Sequence, residues 1–293
     1  MDRRKAIALM SGAVGSLSLP AEGKAMLPAA PRDASKPATL EIRGIVIGDG
    51  ATKTIVSLIE RNVKATLAQA QKLAAMPEVD VVEFRLDHLD AVDDKQEVAR
   101  LSSAVAQAVA PKPLIITFRT KAEGGEKAIE PGAYASLYAA IAAANVGDLF
   151  DIQAAMLNAP EVADTMKRLQ AAGRRVILSH HDFQRTPSEA EMLHLLRAQQ
   201  AQGADICKLA VMPHDAGDVL RLLSATWTMR SRYADRPLIT MSMNGIGAVS
   251  RLSGEIFGSS MSFGSVGRIS APGQMPVASL QASVETLHRS LHG

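Results

Sequence analysis

The amino-acid sequence predicts an α/β fold, a (β/α)8 TIM barrel with an N-terminal β-hairpin closing the barrel floor. Three observations carry this. From Thr54 onward, eight short β-branched runs alternate with eight Ala- and Leu-rich helical stretches. Such alternation implies parallel strands joined by helical crossovers. The repeating part spans residues 54–291, the size of a barrel of about 250 residues. A doubly wound open sheet is the rival. It normally carries a glycine-rich turn after its first strand, and Ser57-Leu58-Ile59-Glu60-Arg61 has none.

In chain order, residues 40–47 read as the hairpin. The barrel strands are expected at 54–59, 81–86, 114–119, 149–153, 176–182, 206–212, 238–243 and 260–266, where β-branched and apolar residues cluster. The helices are expected at 62–75, 93–109, 133–145, 160–172, 188–202, 216–233, roughly 247–255, and 277–291, where apolar residues recur with helical spacing.

Ahead of the barrel, residues 1–25 have the layout of an export signal. Arg3, Arg4 and Lys5 precede the uncharged stretch 6–19, and small residues follow. The Arg3-Arg4 pair resembles a twin-arginine signal, although Ala6 stands where a bulky aromatic is usual. Pro28, Pro31 and Pro37 mark 26–39 as a Pro/Ala-rich linker, which leaves 40–293 as the catalytic barrel. The expected location is the periplasm, with the cytoplasm as the alternative.

Composition narrows the function classes. Hydrophobic residues make up 47% and charged residues 21%, as in a folded globular chain. The net charge of +2 comes from the first 25 residues; beyond them 28 basic residues face 28 acidic ones. A balanced body argues against nucleic-acid binding. No apolar run reaches the roughly 18 residues of a membrane span. The single cysteine, Cys207, excludes an intrachain disulfide and a multi-cysteine zinc site.

Barrel chemistry sits at the C-terminal strand ends. The second strand ends in Glu83-Phe84-Arg85-Leu86-Asp87, and the third in Thr117-Phe118-Arg119, followed by Glu123-Gly124-Gly125-Glu126. The fifth ends in Ser179-His180-His181-Asp182-Phe183, and the sixth carries Lys208. Alternation puts Glu83 and Arg85 on one face of their strand. If Lys208 points inward, Cys207 faces a helix as a small core residue.

A lysine inside an apolar strand is costly unless paired or used. It is either bridged to a carboxylate such as Glu83 or Glu123, or it is an amine nucleophile. Burial and the nearby Arg85, Arg119 or Arg251 would lower its pKa, while Glu83 and Glu123 would raise it. Of the adjacent His180 and His181, one looks inward and can act as general acid and base. The other histidines (His88, His194, His214, His288, His292) show no HxH or HExxH metal spacing. The three arginines suit an anionic ligand.

Together these motifs resemble the type I 3-dehydroquinate dehydratases, from about residue 41 to 292. Further matching segments are Gly203-Ala204-Asp205-Ile206 ahead of Lys208, Thr240-Met241-Ser242-Met243, Ser250-Arg251, and Ser270-Ala271-Pro272-Gly273-Gln274. The resemblance implies a lyase that dehydrates 3-dehydroquinate to 3-dehydroshikimate, in the shikimate pathway or in quinate breakdown. By the same resemblance Lys208 forms a Schiff base with the substrate ketone, His181 moves protons, and Glu123 assists the histidine. Arg251 grips the substrate carboxylate. Glu83, Arg85, Arg119, Ser270 and Gln274 hold the ring hydroxyls and carboxylate. The resemblance implies no metal or organic cofactor, and a homodimer.

Two departures stand out: Gln153 where a glutamate is expected, and the segment Asn244-Gly245-Ile246-Gly247. The rival functions are a class I aldolase acting on another small keto acid, and an exported carboxylate-binding protein with no need of Lys208 or His181.

Overall fold

The computed structural model describes residues 39–293. The expected signal, and the expected linker up to residue 38, lie outside the described residues. The hairpin is β1 (Leu40–Ile42) paired antiparallel with β2 (Ile45–Ile47). Arg43 and Gly44 make its turn with φ of 49° and 80°, the left-handed backbone that tight hairpins use.

Eight parallel strands follow: β3 (Lys53–Leu58), β4 (Val81–Arg85), β5 (Leu114–Thr117), β6 (Leu149–Gln153), β7 (Arg175–Asp182), β8 (Ile206–Val211), β9 (Leu238–Ser242) and β10 (Met261–Gly264). They hydrogen-bond in the order β10-β3-β4-β5-β6-β7-β8-β9. The last seam closes through a short parallel bridge, Leu238 to Ser259, with the Ser260 amide donating to the Leu238 carbonyl at 2.7 Å. Every expected strand is present, and their ends differ by at most two residues.

The helices are α1 (Val63–Ala74), α2 (Lys95–Val109), α3 (Pro131–Ala143), α4 (Pro160–Ala171), α5 (Glu189–Ala201), α6 (Ala216–Arg232), α7 (Ala248–Leu252), α8 (Gly254–Phe257) and α9 (Val277–His292). Their starts are written in side chains. Asn62, Asp94 and Asp215 accept from the first-turn amides of α1, α2 and α6, and Ser188 with Glu191 forms a capping box on α5. The stretch expected at 247–255 is two short helices, because Ser253 interrupts it.

Period-two alternation sorts the strands into two cores. Outward residues such as Phe84, Phe118, Phe150, Leu178, Cys207 and Leu209 pack among the helices. Cys207 is fully buried there, and burial pushes its thiol up to about 12. Inward, Ile55, Val81, Ile115, Leu149, Ile177, Ile206, Ile239 and Met261 form an apolar layer with Ile42 and Ile47 of the hairpin beneath it. The hairpin is thus the barrel floor. Two residues further along each strand stand Ser57, Glu83, Thr117, Asp151, Ser179, Lys208, Met241 and Phe263. The barrel interior therefore turns polar halfway up, toward the strand ends where loops can complete a site.

Candidate active site

Lys208 reaches this polar layer from the middle of β8. Its backbone is held from outside by Gln199 of α5, whose amide accepts from the Lys208 N–H and donates to its carbonyl, both at 2.9 Å. Its Nζ donates to Asp151 Oδ2 at 2.8 Å, lies 4.0 Å from Glu83 Oε1, and sits 4.7 Å above the Phe263 ring. The main partner is therefore Asp151, not the Glu83 or Glu123 expected from sequence. Asp151 comes from β6, next to β7 in the barrel, while Glu83 makes only the longer contact and Glu123 is engaged elsewhere.

Asp151 is fully buried and accepts two further hydrogen bonds, from Ser179 Oγ at 2.6 Å and an Arg119 terminal nitrogen at 2.8 Å. Burial works against its charge. Arg119 and Lys208 outweigh that and hold its carboxyl well below the ordinary range. Arg119 is equally committed. Burial opposes its charge, but Asp151, Glu123 and Glu83 raise its pKa, and its terminal nitrogens are spent on Asp151, Ser179 and Glu123.

Glu123 Oε2 lies 3.3 Å from Arg119 and 2.9 Å from His181 Nδ1. His181 is the inward histidine of the pair, and His180 lines an outer groove with His194. Burial pushes the His181 pKa well down, Arg119 and Lys208 add to that, and Glu123 pulls the other way. The ring is neutral near pH 7, with Glu123 fixing its orientation and tautomer. The loop that delivers Glu123 depends on Gly124 at φ 84°, where a Cβ would lie 2.3 Å from the Phe183 ring. Gln153 pins the start of that loop. It accepts from the Thr120 N–H at 2.7 Å and donates to the Thr120 hydroxyl at 3.0 Å. The departure at Gln153 thus falls on a loop contact beside the site.

Arg251 enters from α7. It is 1% exposed, yet no carboxylate pairs with it among the described residues. It donates to the Pro272 carbonyl at 3.0 Å, and its Nε has no partner. Burial alone pushes it down to about 10. Pro272 belongs to the loop after β10, which carries Ser270 and Gln274. Ser270 bonds Gln274 on one side and Ser57 on the other, and Ser57 donates to Glu83 Oε2 at 2.6 Å. Asn244 supports the same loop. Its N–H donates to the Pro272 carbonyl at 3.2 Å, and a Cβ on Gly273 would strike its backbone at 2.2 Å. Arg85 is locked to Asp87 by two bonds of 2.8 Å.

Glu83, Arg85, Arg119, Glu123, His181, Lys208, Arg251, Ser270 and Gln274 all line one cavity open to solvent, with Phe183, Met241, Met243 and Phe263 among its apolar walls. Every site residue expected from sequence is there. Sequence reasoning missed Asp151, Ser179 and Ser57, and the two supports Gln199 and Asp87. Asp151 carried a legible signal, an aspartate in the apolar strand Leu149-Phe150-Asp151-Ile152.

A neutral histidine, a buried amine and an unpaired buried guanidinium in one pocket can bind an anion, form an imine and move a proton. A family model described as Type I 3-dehydroquinase matches residues 54–290. The 3-dehydroquinate dehydratase of Salmonella paratyphi B is 40% identical over 252 residues, covering 86% of this chain and 99% of that protein. A crystal structure of the Clostridium difficile type I 3-dehydroquinate dehydratase with covalently modified comenic acid superposes with a TM-score of 0.82. It is 39% identical and covers 86% of this chain and 98% of that one. The Geobacillus kaustophilus 3-dehydroquinate dehydratase also gives 0.82, at 30% identity, covering 88% and 99%.

Proposed function

The chain belongs to the type I 3-dehydroquinase family, and on that premise we propose how its own residues dehydrate 3-dehydroquinate to 3-dehydroshikimate. It is a lyase, and the family sets aside both the aldolase and the carboxylate-binding readings.

Arg251 takes the substrate carboxylate. The observation that carries this is its buried guanidinium, which no carboxylate pairs among the described residues, facing the cavity that holds Lys208. The carboxylate supplies the missing countercharge and a bidentate acceptor. Ser270, Gln274, Glu83 and Arg85 hold the ring hydroxyls around it. Lys208, as the free amine, attacks the ketone. The carbinolamine takes up the proton that the amine shed before its attack and loses water, which leaves a protonated imine whose positive charge stays beside Asp151. That charge draws electrons from the neighbouring carbon and acidifies its proton. His181, neutral and oriented by Glu123, removes the proton. The enamine then expels the β-hydroxyl, which leaves as water with the proton His181 has just taken. Hydrolysis of the imine frees 3-dehydroshikimate and the lysine. The elimination returns every proton, so one histidine serves both half-steps.

Borohydride added during turnover tests this. The expected result is inactivation and a mass increment on the peptide containing Lys208, absent without substrate and absent in Lys208→Ala. Turnover with no labelled lysine would overturn the imine assignment.

We propose also that the protein is exported, which suits breakdown of external quinate. The support is the Arg3-Arg4 pair followed by the uncharged stretch 6–19. Intact Met1 or Asp2 on cytosolic protein from the native host would refute it. For the assembly we propose a homodimer. Leu220 and Trp227 stand exposed seven residues apart on α6, an apolar face that a second copy can cover. Light scattering showing a monomer at micromolar concentration would rule that out.

A further inference from the structure

Away from the active cavity, the last turn of α9 places His288 and His292 four residues apart, on one helix face. Glu255 of α8 faces them with its side chain only 5% exposed. Its Oε1 lies 2.8 Å from His288 Nδ1 and 2.9 Å from His292 Nε2, and the candidate ligand atoms all fall within 4.8 Å of one another. Among the described residues no lysine or arginine pairs with this carboxylate. Gly50 closes over it from the loop before β3; a Cβ there would stand 3.3 Å from Oε1.

Two imidazoles and one carboxylate are a ligand set for a divalent transition metal. Zinc bonds of about 2.0–2.2 Å in a tetrahedron set ligand atoms about 3.3 Å apart. The observed separations of 2.8 and 2.9 Å need to open by about half an ångström to meet that geometry. His288 and His292 are 43% and 60% exposed, so their side chains can open toward solvent, where a water completes the fourth position. α8 precedes the start of β10, and Gly50 precedes β3. The cluster therefore lies at the N-terminal ends of the strands, opposite the cavity, where barrels build stability.

We propose that Glu255, His288 and His292 bind a divalent transition-metal ion, with zinc the best match, which clips the C-terminal helix to the floor side of the barrel. The ion is structural. Binding only to the folded chain, it raises the melting temperature by mass action.

The test uses the full chain without a histidine tag, stripped with chelator and titrated with zinc chloride against a chromophoric competitor. The proposal expects one zinc per chain. It also expects a rise in melting temperature of about 5–10 °C at hundred-fold excess over the dissociation constant. Both are lost in His292→Ala, whose side chain is mostly in solvent, and weakened in Glu255→Gln. Dehydratase turnover is unchanged by zinc and by His292→Ala. No saturable zinc binding overturns the proposal and leaves an imidazole–carboxylate cluster. Binding that survives His292→Ala, or that comes with lost turnover, also overturns it, because the ion then sits elsewhere.

Discussion

Replacing Arg251 by methionine should make the substrate-free protein more stable while crippling its grip on substrate. Among the described residues the charge is buried with no countercharge, and that burial lowers the guanidinium from 12.5 to about 10. At about 1.4 kcal/mol per pH unit this corresponds to about 3 kcal/mol held against the fold. Methionine removes the charge, has similar length, and meets the methionines at 241 and 243 across the cavity. It forfeits the charge-assisted bond to the Pro272 carbonyl, worth about 1.5–3 kcal/mol. The net is a gain of up to about 1.5 kcal/mol, or a melting temperature higher by up to about 6 °C for a chain this size. Thermal unfolding without substrate reads the first half. Steady-state kinetics reads the second: KM should rise at least about 100-fold, since two charge-assisted bonds of about 1.5–3 kcal/mol each disappear. Substrate or product should raise the melting temperature of the wild type and not of the variant. A variant that melts several degrees lower would refute the uncompensated-charge argument, and an unchanged KM would refute the carboxylate assignment.

Asp151→Asn should do the reverse. It leaves Lys208 and Arg119 buried without their shared anion, a loss of about 3–5 kcal/mol, and the melting temperature should fall by about 10 °C. In a Lys208→Met background the same change should cost less; equal costs would deny the coupling. Below about pH 6.5 the unfolded chain protonates its histidines, while His181, His180 and His88 resist, their pKa values all being lowered, first of all by burial. Stability from these groups is thus complete above about pH 6.5 and lost as pH falls below it, and the acid limb of kcat/KM should also lie below about 6.5. A pH profile centred above that value would contradict the neutral histidine. Gln153→Leu should strand the Thr120 amide at a cost of about 1–3 kcal/mol and lower kcat more than it raises KM, because the loop carrying Glu123 loosens; unchanged kcat would clear Gln153 of any positioning role.

The fold was legible because two periods superimpose without conflict. Residues such as Ile55, Val81 and Ile115 had to be apolar for the barrel interior, and their strand neighbours Val56, Val82 and Ile116 for the helix layer, so each strand reads as a continuous apolar run. What stayed illegible was local. Nothing in the composition of 247–255 shows that Ser253 splits the helix. Nor does Asn244 announce that its left-handed backbone, at φ 59°, supports the loop holding Ser270 and Gln274.

The candidate site shows a sharper division. Residues that reach the cavity from strand ends and loops were found, because their polar character interrupts an apolar pattern at a predictable place. Asp151 interrupts the pattern just as plainly, yet its role lies in pairing, which a linear sequence does not display. Its three donors come from the segment just after β5 and from β7 and β8, at sequence separations of 32, 28 and 57 residues. Only the closed barrel order brings those strands around it. The same distance in sequence hides the reason Arg251 stands alone. Every other buried cation of the site has a carboxylate within 4.0 Å: Asp151 for Lys208, Asp151 and Glu123 for Arg119, and Asp87 for Arg85. In a pocket so fully paired, one unpaired guanidinium is a specification of the ligand. The protein holds about 3 kcal/mol against its own stability at that position, and an anion bound there returns it as affinity.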